Sequence, residues 1–154
     1  MAAFFCDASA IVKRYANEFG SSWVMGVTDP ASGNTIFVAR ITEVEVVSGV
    51  TRRVREGTLS ANDGSAGTVS LRGDFVNQYR VIEITPTLID NAVSLVQIHG
   101  LRGYDAVQLA AALEVHTDRR SLGLPPLILC SADRALNTAA LAEGLAVDDP
   151  NTHP

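Results

Sequence analysis

Lysine is nearly absent from this chain, with Lys13 the only one, and basic residues are outnumbered by acidic ones to a net charge of −5. The protein therefore has no bulk positive field with which to hold nucleic acid. An enzyme that meets nucleic acid through a local basic patch and bound metal ions is not excluded. Cysteine is equally rare: Cys6 and Cys130 are too few for a disulfide framework or a thiolate zinc site. The three histidines, His99, His116 and His153, lie far apart without metal-ligand spacing and read as surface or helix-end residues. No apolar run reaches the roughly 18 residues that suggest a membrane span. No basic region precedes the first apolar stretch and no cleavage-like pattern follows it, so a cytoplasmic location is expected.

What is present is an ordinary globular balance, 47% hydrophobic and 19% charged residues in a chain of 154. That length suits one domain, expected over residues 1–147, with a polar, proline-bearing tail at 148–154 that frays. Short apolar runs read as strands at 3–7, 35–39, 81–84, 127–130 and 145–147. Between them, helices are predicted at 8–15 (with Ser9 able to cap), 20–27, 41–56, 60–78, 85–100, 104–116 and 133–143. Ser60 with Asp63 resembles a capping box, and Thr85-Pro86 a cap followed by proline at the first helical position. Gly64, Gly67 and Gly73 are unfavourable inside the 60–78 helix, and 117–126 reads as a loop. Alternating strands and helices make the fold class α/β, with a mostly parallel central sheet of about five strands.

Ligands bind open parallel sheets beyond the carboxyl ends of the strands. Asp7 follows the first strand there, and Ser131-Ala132-Asp133 follows the fourth. Glu43 and Glu45 stand in the first turns of the 41–56 helix, and Asp105 opens the alanine-rich helix. Singly, each aspartate has an ordinary role as a helix cap or a charge at a helix start. Together they make a site of crowded carboxylates, which tolerates its own repulsion when a cation fills it. Oxygen ligands without histidine or cysteine favour Mg²⁺ or Mn²⁺ over zinc. Two such ions can activate water and stabilise the leaving oxygen of a phosphodiester, with no serine or cysteine nucleophile.

Four segments carry a family resemblance. Cys6-Asp7-Ala8-Ser9-Ala10-Ile11-Val12-Lys13, Glu45-Val46-Val47-Ser48-Gly49-Val50-Thr51-Arg52 and Leu101-Arg102-Gly103-Tyr104-Asp105-Ala106-Val107-Gln108-Leu109-Ala110 stand in order. Ser131-Ala132-Asp133-Arg134-Ala135-Leu136 closes the series, with Ala139-Ala140 and Gly144-Leu145 after it. In that order and spacing the chain resembles PIN-domain proteins of the VapC toxin type over nearly its whole length. Gly49 stands where the family usually has alanine. The resemblance implies a three-layer α/β/α fold and a Mg²⁺- or Mn²⁺-dependent endoribonuclease, usually dimeric and inhibited by a cognate antitoxin. It also implies that Asp7, Glu45, Asp105 and Asp133 are the catalytic, metal-holding residues, with Ser131 in support.

A helical wheel complicates the choice of glutamate. Glu43 shares a face with Val46, Val47, Val50 and Val54, whereas Glu45 shares one with Ile41, Val44, Ser48, Arg52 and Arg55. The two point about 200° apart and cannot serve one site. The family register favours Glu45, and Glu43 is kept as a supporting candidate on its apolar face. Arg52, in the only basic cluster, is a candidate contact to an RNA phosphate. Tyr15, Trp23 and Tyr104 are candidates for base stacking, against core packing as the ordinary role.

Other readings fit less well. A haloacid-dehalogenase-type phosphatase would want a second aspartate where Ser9 stands, and a receiver domain would want a late lysine. A non-toxin PIN-like RNA-processing nuclease shares the same residues. A non-catalytic PIN-like binding module would be expected to lack one of the acids, and none is missing.

Overall fold

A computed structural model describes all of residues 1–154. Five strands, β1 (Ala3–Cys6), β2 (Thr35–Ala39), β3 (Arg80–Ile82), β4 (Leu127–Cys130) and β5 (Ala146–Asp148), form one sheet in the order β3-β2-β1-β4-β5. Every pairing is parallel. Such a sheet needs cover on both faces, which is why β1 and β4 are apolar runs rather than alternating ones.

Along β1 the side chains split between two cores, Phe4 and Cys6 to one face, Ala3 and Phe5 to the other. On the first face α1 (Ala8–Tyr15), α3 (Thr42–Arg55) and α4 (Ala61–Asn77) contribute Ile11, Val46, Val50, Leu71 and Phe75, while α2 (Ser21–Thr28) adds Trp23 at the margin. On the second, α5 (Pro86–His99), α6 (Gly103–Ser121) and α7 (Arg134–Ala142) contribute Leu88, Leu95, Leu109 and Leu136. Full burial of each such side chain stabilises by about 1.5–3 kcal/mol. The result is the expected three-layer α/β/α fold. No helix is long and apolar enough to cross a membrane.

Helix α4 runs unbroken through its three glycines. Two have a packing reason. A Cβ at Gly64 would meet Val54 Cγ2 at 2.5 Å, and one at Gly67 would meet the Tyr15 carbonyl oxygen at 3.0 Å. Each glycine costs the helix about 1 kcal/mol against alanine, and in return α3 and α1 approach closely. Nothing packs on Gly73.

Two expectations fail, one at the end of a helix and one at the end of the chain. Helix α6 does not stop at His116 but continues to Ser121, through residues read as loop. Its last turn is polar because it is solvated, and the helix ends only before Gly123, at φ +65°. The tail is docked rather than frayed. Asp148 joins β5, a 3₁₀ turn over Pro150–Thr152 follows, and His153 stacks on Trp23 with ring centroids 4.1 Å apart. The His153 ring also hydrogen-bonds Asp148 Oδ1 at 2.7 Å. Gly20 makes room for this return, since a Cβ there would stand 2.5 Å from the Pro150 carbonyl oxygen.

Candidate active site

The strand order reverses between β1 and β4, which is where an open parallel sheet leaves a crevice. Cys6 and Cys130 are register partners at its floor. The next residues are Asp7 and Ser131, and the Asp7 N–H donates to the Cys130 carbonyl at 3.2 Å.

Asp7 has extended backbone angles and caps α1, its Oδ1 accepting the Ala10 N–H at 3.0 Å. Ser9, expected as the cap, lies already inside the first turn and does something else. Its hydroxyl donates to Asp7 Oδ1 at 2.7 Å and accepts the Ala132 N–H at 2.9 Å. Ser131 mirrors it from β4, donating to Asp7 Oδ2 at 2.9 Å and accepting the Asp133 N–H at 3.1 Å. Asp133 caps α7 through the Leu136 N–H at 2.9 Å. Behind the loop, Asn137 Nδ2 donates to the Ser131 carbonyl at 2.8 Å. The ordinary capping roles of Asp7 and Asp133 are thus real, and they fix where both carboxylates stand.

Each acid raises the next electrostatically, Asp7 with Glu45, Glu45 with Asp105 and Asp105 with Asp133, and in this sense the four make a row. Burial is the main influence on Asp7, which is 3% exposed, and pushes its carboxyl up to about 7 against the bonds from Ser9, Ser131 and Ala10. Nearby Glu45 pushes in the same direction. Burial also raises Glu45, opposed by a hydrogen bond from Gln108 and reinforced by Asp105. Asp105, in the first turn of α6, is raised by burial and then by Asp133, with Arg102 opposing. No lysine or arginine pairs with any of the four. The row is not a closed cage: no three acidic, histidine or cysteine side chains stand at the spacing that holds one ion.

Glu43 is not in the row. It lies half-buried near Arg40, which pairs with Glu83 at the β3 edge. Glu45 instead faces a cleft of about 580 Å³ shared with Ser9, Ser48, Arg52 and Tyr104. Gln108 is the residue that sequence reasoning missed. It lies on α6, 1% exposed, and its Nε2 donates to both Glu45 Oε1 and Thr42 Oγ1 at 2.8 Å. The signal available was its place three residues after Asp105, on the same helix face.

The PIN-domain family model matches residues 4–140. The chain belongs to the PIN-domain family. Ribonuclease VapC45 of Mycobacterium tuberculosis (strain CDC 1551 / Oshkosh) is 32% identical over 154 residues, with both chains covered in full. At that identity over its whole length, this PIN domain is of the VapC type. Its fold is similar to two solved structures. One is Mycobacterium tuberculosis VapC20, described as a sarcin-ricin loop cleaving toxin, with a TM-score of 0.62 at 15% identity over 93% of this chain and 96% of that one. The other is a toxin-antitoxin complex from Klebsiella pneumoniae, with a TM-score of 0.59 at 19% identity over 97% of this chain and 98% of that one.

The rim of the PIN domain's cleft sorts the remaining candidates. Arg52 is exposed there and makes no ion pair, whereas Arg53 forks onto Glu18 through Nε at 3.0 Å and Nη2 at 2.9 Å. Tyr104 is 63% exposed on the rim. Tyr15 is tied to Asp74 and Tyr79, and Trp23 is covered by His153, so neither presents a free ring at the cleft.

Proposed function

We propose that this PIN domain is a Mg²⁺- or Mn²⁺-dependent endoribonuclease, the toxin of a toxin–antitoxin pair. The observation that carries the reading is the row Asp7, Glu45, Asp105, Asp133 at the sheet's switch point, with its first member buried and unpaired by any cation. A donor set of carboxylate oxygens fits a hard divalent ion and fits zinc poorly. The open spacing also fits, because Mg²⁺ keeps several waters and takes one or two carboxylates rather than a complete protein cage. A bound ion would supply the positive charge that offsets negative charge building on a phosphodiester attacked by water.

The chain's own residues do the rest. Ser9, Ser131 and the Ala10 N–H hold Asp7 in place, so both hydroxyls are engaged and neither is a free nucleophile. Arg52 meets an RNA phosphate at the rim, and Tyr104 offers an exposed ring for a base. The partners in this reading are RNA, a protein antitoxin and a second copy of the chain. The antitoxin is supported by similarity to a chain from a toxin-antitoxin complex. The second copy is supported by the exposed apolar side chains Ile89, Val93 and Val96 on α5. The test is cleavage of RNA by purified protein. Cutting is expected with Mg²⁺ or Mn²⁺, none with EDTA, and none from Asp7→Asn. Cleavage that survives thorough chelation would sink the mechanism.

A further inference from the structure

Three positions on two helices make a fork at the edge of the acid row. Thr42 and Glu45 lie one turn apart on α3, and so face the same way. Asp105 and Gln108 lie one turn apart on α6. Gln108 Nε2 has two hydrogens, and the structure uses both, one on Thr42 Oγ1 and one on Glu45 Oε1, each at 2.8 Å. Gln108 Oε1 is buried without a partner. Glu45 Oε2 accepts no hydrogen bond from the protein, so it is the oxygen left to a cation.

The unpaired Oε1 matters. A buried polar atom without a partner costs roughly 1–3 kcal/mol. Turning the amide over would let its carbonyl accept from the Thr42 hydroxyl, but would set that carbonyl against the Glu45 carboxylate and leave the Nε2 hydrogens in the partnerless place. The observed orientation is therefore the one that serves Glu45. We propose that Gln108 is a positioning residue, which locks Glu45 of α3 at a fixed offset from Asp105 of α6 and leaves one carboxylate oxygen for the metal. This rests on the metal-dependent reading above. An outer hydrogen-bond partner of a ligating group orients it, and its loss typically weakens metal binding about 10–100-fold.

The test is Mn²⁺ binding to the folded protein, followed by electron paramagnetic resonance and calorimetry, alongside RNA cleavage. Gln108→Met keeps length and burial and removes the donor. It should keep the helical circular dichroism, weaken Mn²⁺ binding about ten-fold or more, and lower kcat with KM for RNA little changed. Gln108→His retains an N–H and should recover most of the affinity, which a purely structural role would not require. Thr42→Val leaves the Glu45 bond in place and should weaken binding less than Gln108→Met. Should Gln108→Met unfold, Gln108→Leu takes its place, and wild-type Mn²⁺ affinity in that folded variant would overturn the role. In a double-mutant cycle, Gln108→Met should add little to Glu45→Gln, because one acts through the other. Wild-type Mn²⁺ affinity in a folded Gln108→Met, with affinity lost in Glu45→Gln, would overturn the positioning role alone. A wild-type protein that binds no Mn²⁺ would overturn the metal reading and this inference with it.

Discussion

Ser131 donates its hydroxyl to Asp7 Oδ2 at 2.9 Å, across 124 positions of sequence. That bond ties the loop after β4 to the end of β1, and both ends are buried. Ser131→Ala removes it while Ser9 still holds the carboxylate. A hydrogen bond to a charged group contributes about 1.5–3 kcal/mol, and more when the acceptor is ionised than when it is neutral. The variant should melt roughly 3–10 °C lower at pH 8. The deficit should shrink at pH 5, where Asp7 holds its proton. An equal deficit at both values would mean that the bond to Asp7 contributes nothing, and that Ser131 matters through packing and the Asp133 N–H it accepts.

Asp7 sets a second pH dependence, in metal-free protein. Its carboxyl sits at about 7 in the folded chain against an ordinary value of 3.8. The folded pKa is raised, so the folded state binds the proton more tightly than the unfolded chain does. Stability should then fall as pH rises from about 4 to about 7, by as much as about 4 kcal/mol. Glu45 and Asp105, raised in the same direction, add to the slope. Asp7→Asn should flatten most of it, and Mn²⁺ should raise the melting midpoint of the wild type most at the alkaline end. Denaturant titrations across this range check both, and an equal Mn²⁺ shift in Asp7→Asn would place the metal elsewhere.

The two cysteines should stay reduced and unreactive. Cys6 and Cys130 are register partners on β1 and β4, both buried and both free. The Cys130 thiol is held well above its ordinary range by a hydrogen bond with Cys6 and by burial, so little thiolate forms. A thiol reagent should label neither in native protein and both after denaturation. Rapid native labelling would contradict the packing of the sheet's centre.

Much of this was legible because local chemistry and global fold agree. Ser60, Thr85 and Pro86 open their helices as their side chains dictate, and the apolar strands must be buried on both faces. The misses come from forces that leave no local pattern. The turn from Thr117 to Ser121 is polar because it is solvated, so periodicity stops before the helix does. The tail docks because His153 meets Trp23, a contact across 130 positions that neither residue signals alone. At the site, the acids stood out as charges gathered near strand ends. Gln108 did not, because an uncharged amide in an alanine-rich helix acquires meaning only when Thr42 and Glu45 of another helix face it.

The two glutamates of α3 offer the sharpest contrast, because they differ in place and not in chemistry. Glu45 lies on the polar face with Ser48 and Arg52, lines the cleft, and accepts from Gln108. Glu43 lies half-buried toward Arg40 and is not among the groups that act on Asp7 or Asp105. Glu45→Gln keeps volume and can still accept from Gln108 through its carbonyl oxygen, so the fold should survive while a cation loses a charged ligand. RNA cleavage should fall by about 100-fold or more, beyond what loss of an outer partner costs. Glu43→Gln should cleave as the wild type does and melt within about 0.5 kcal/mol of it, since it breaks no hydrogen bond. Circular dichroism on both variants separates a lost ligand from a lost helix. Should Glu43→Gln be inactive and Glu45→Gln active, both folded, the acid row would run through Glu43, and the register of α3 against α6 drawn from Gln108 would have to be abandoned.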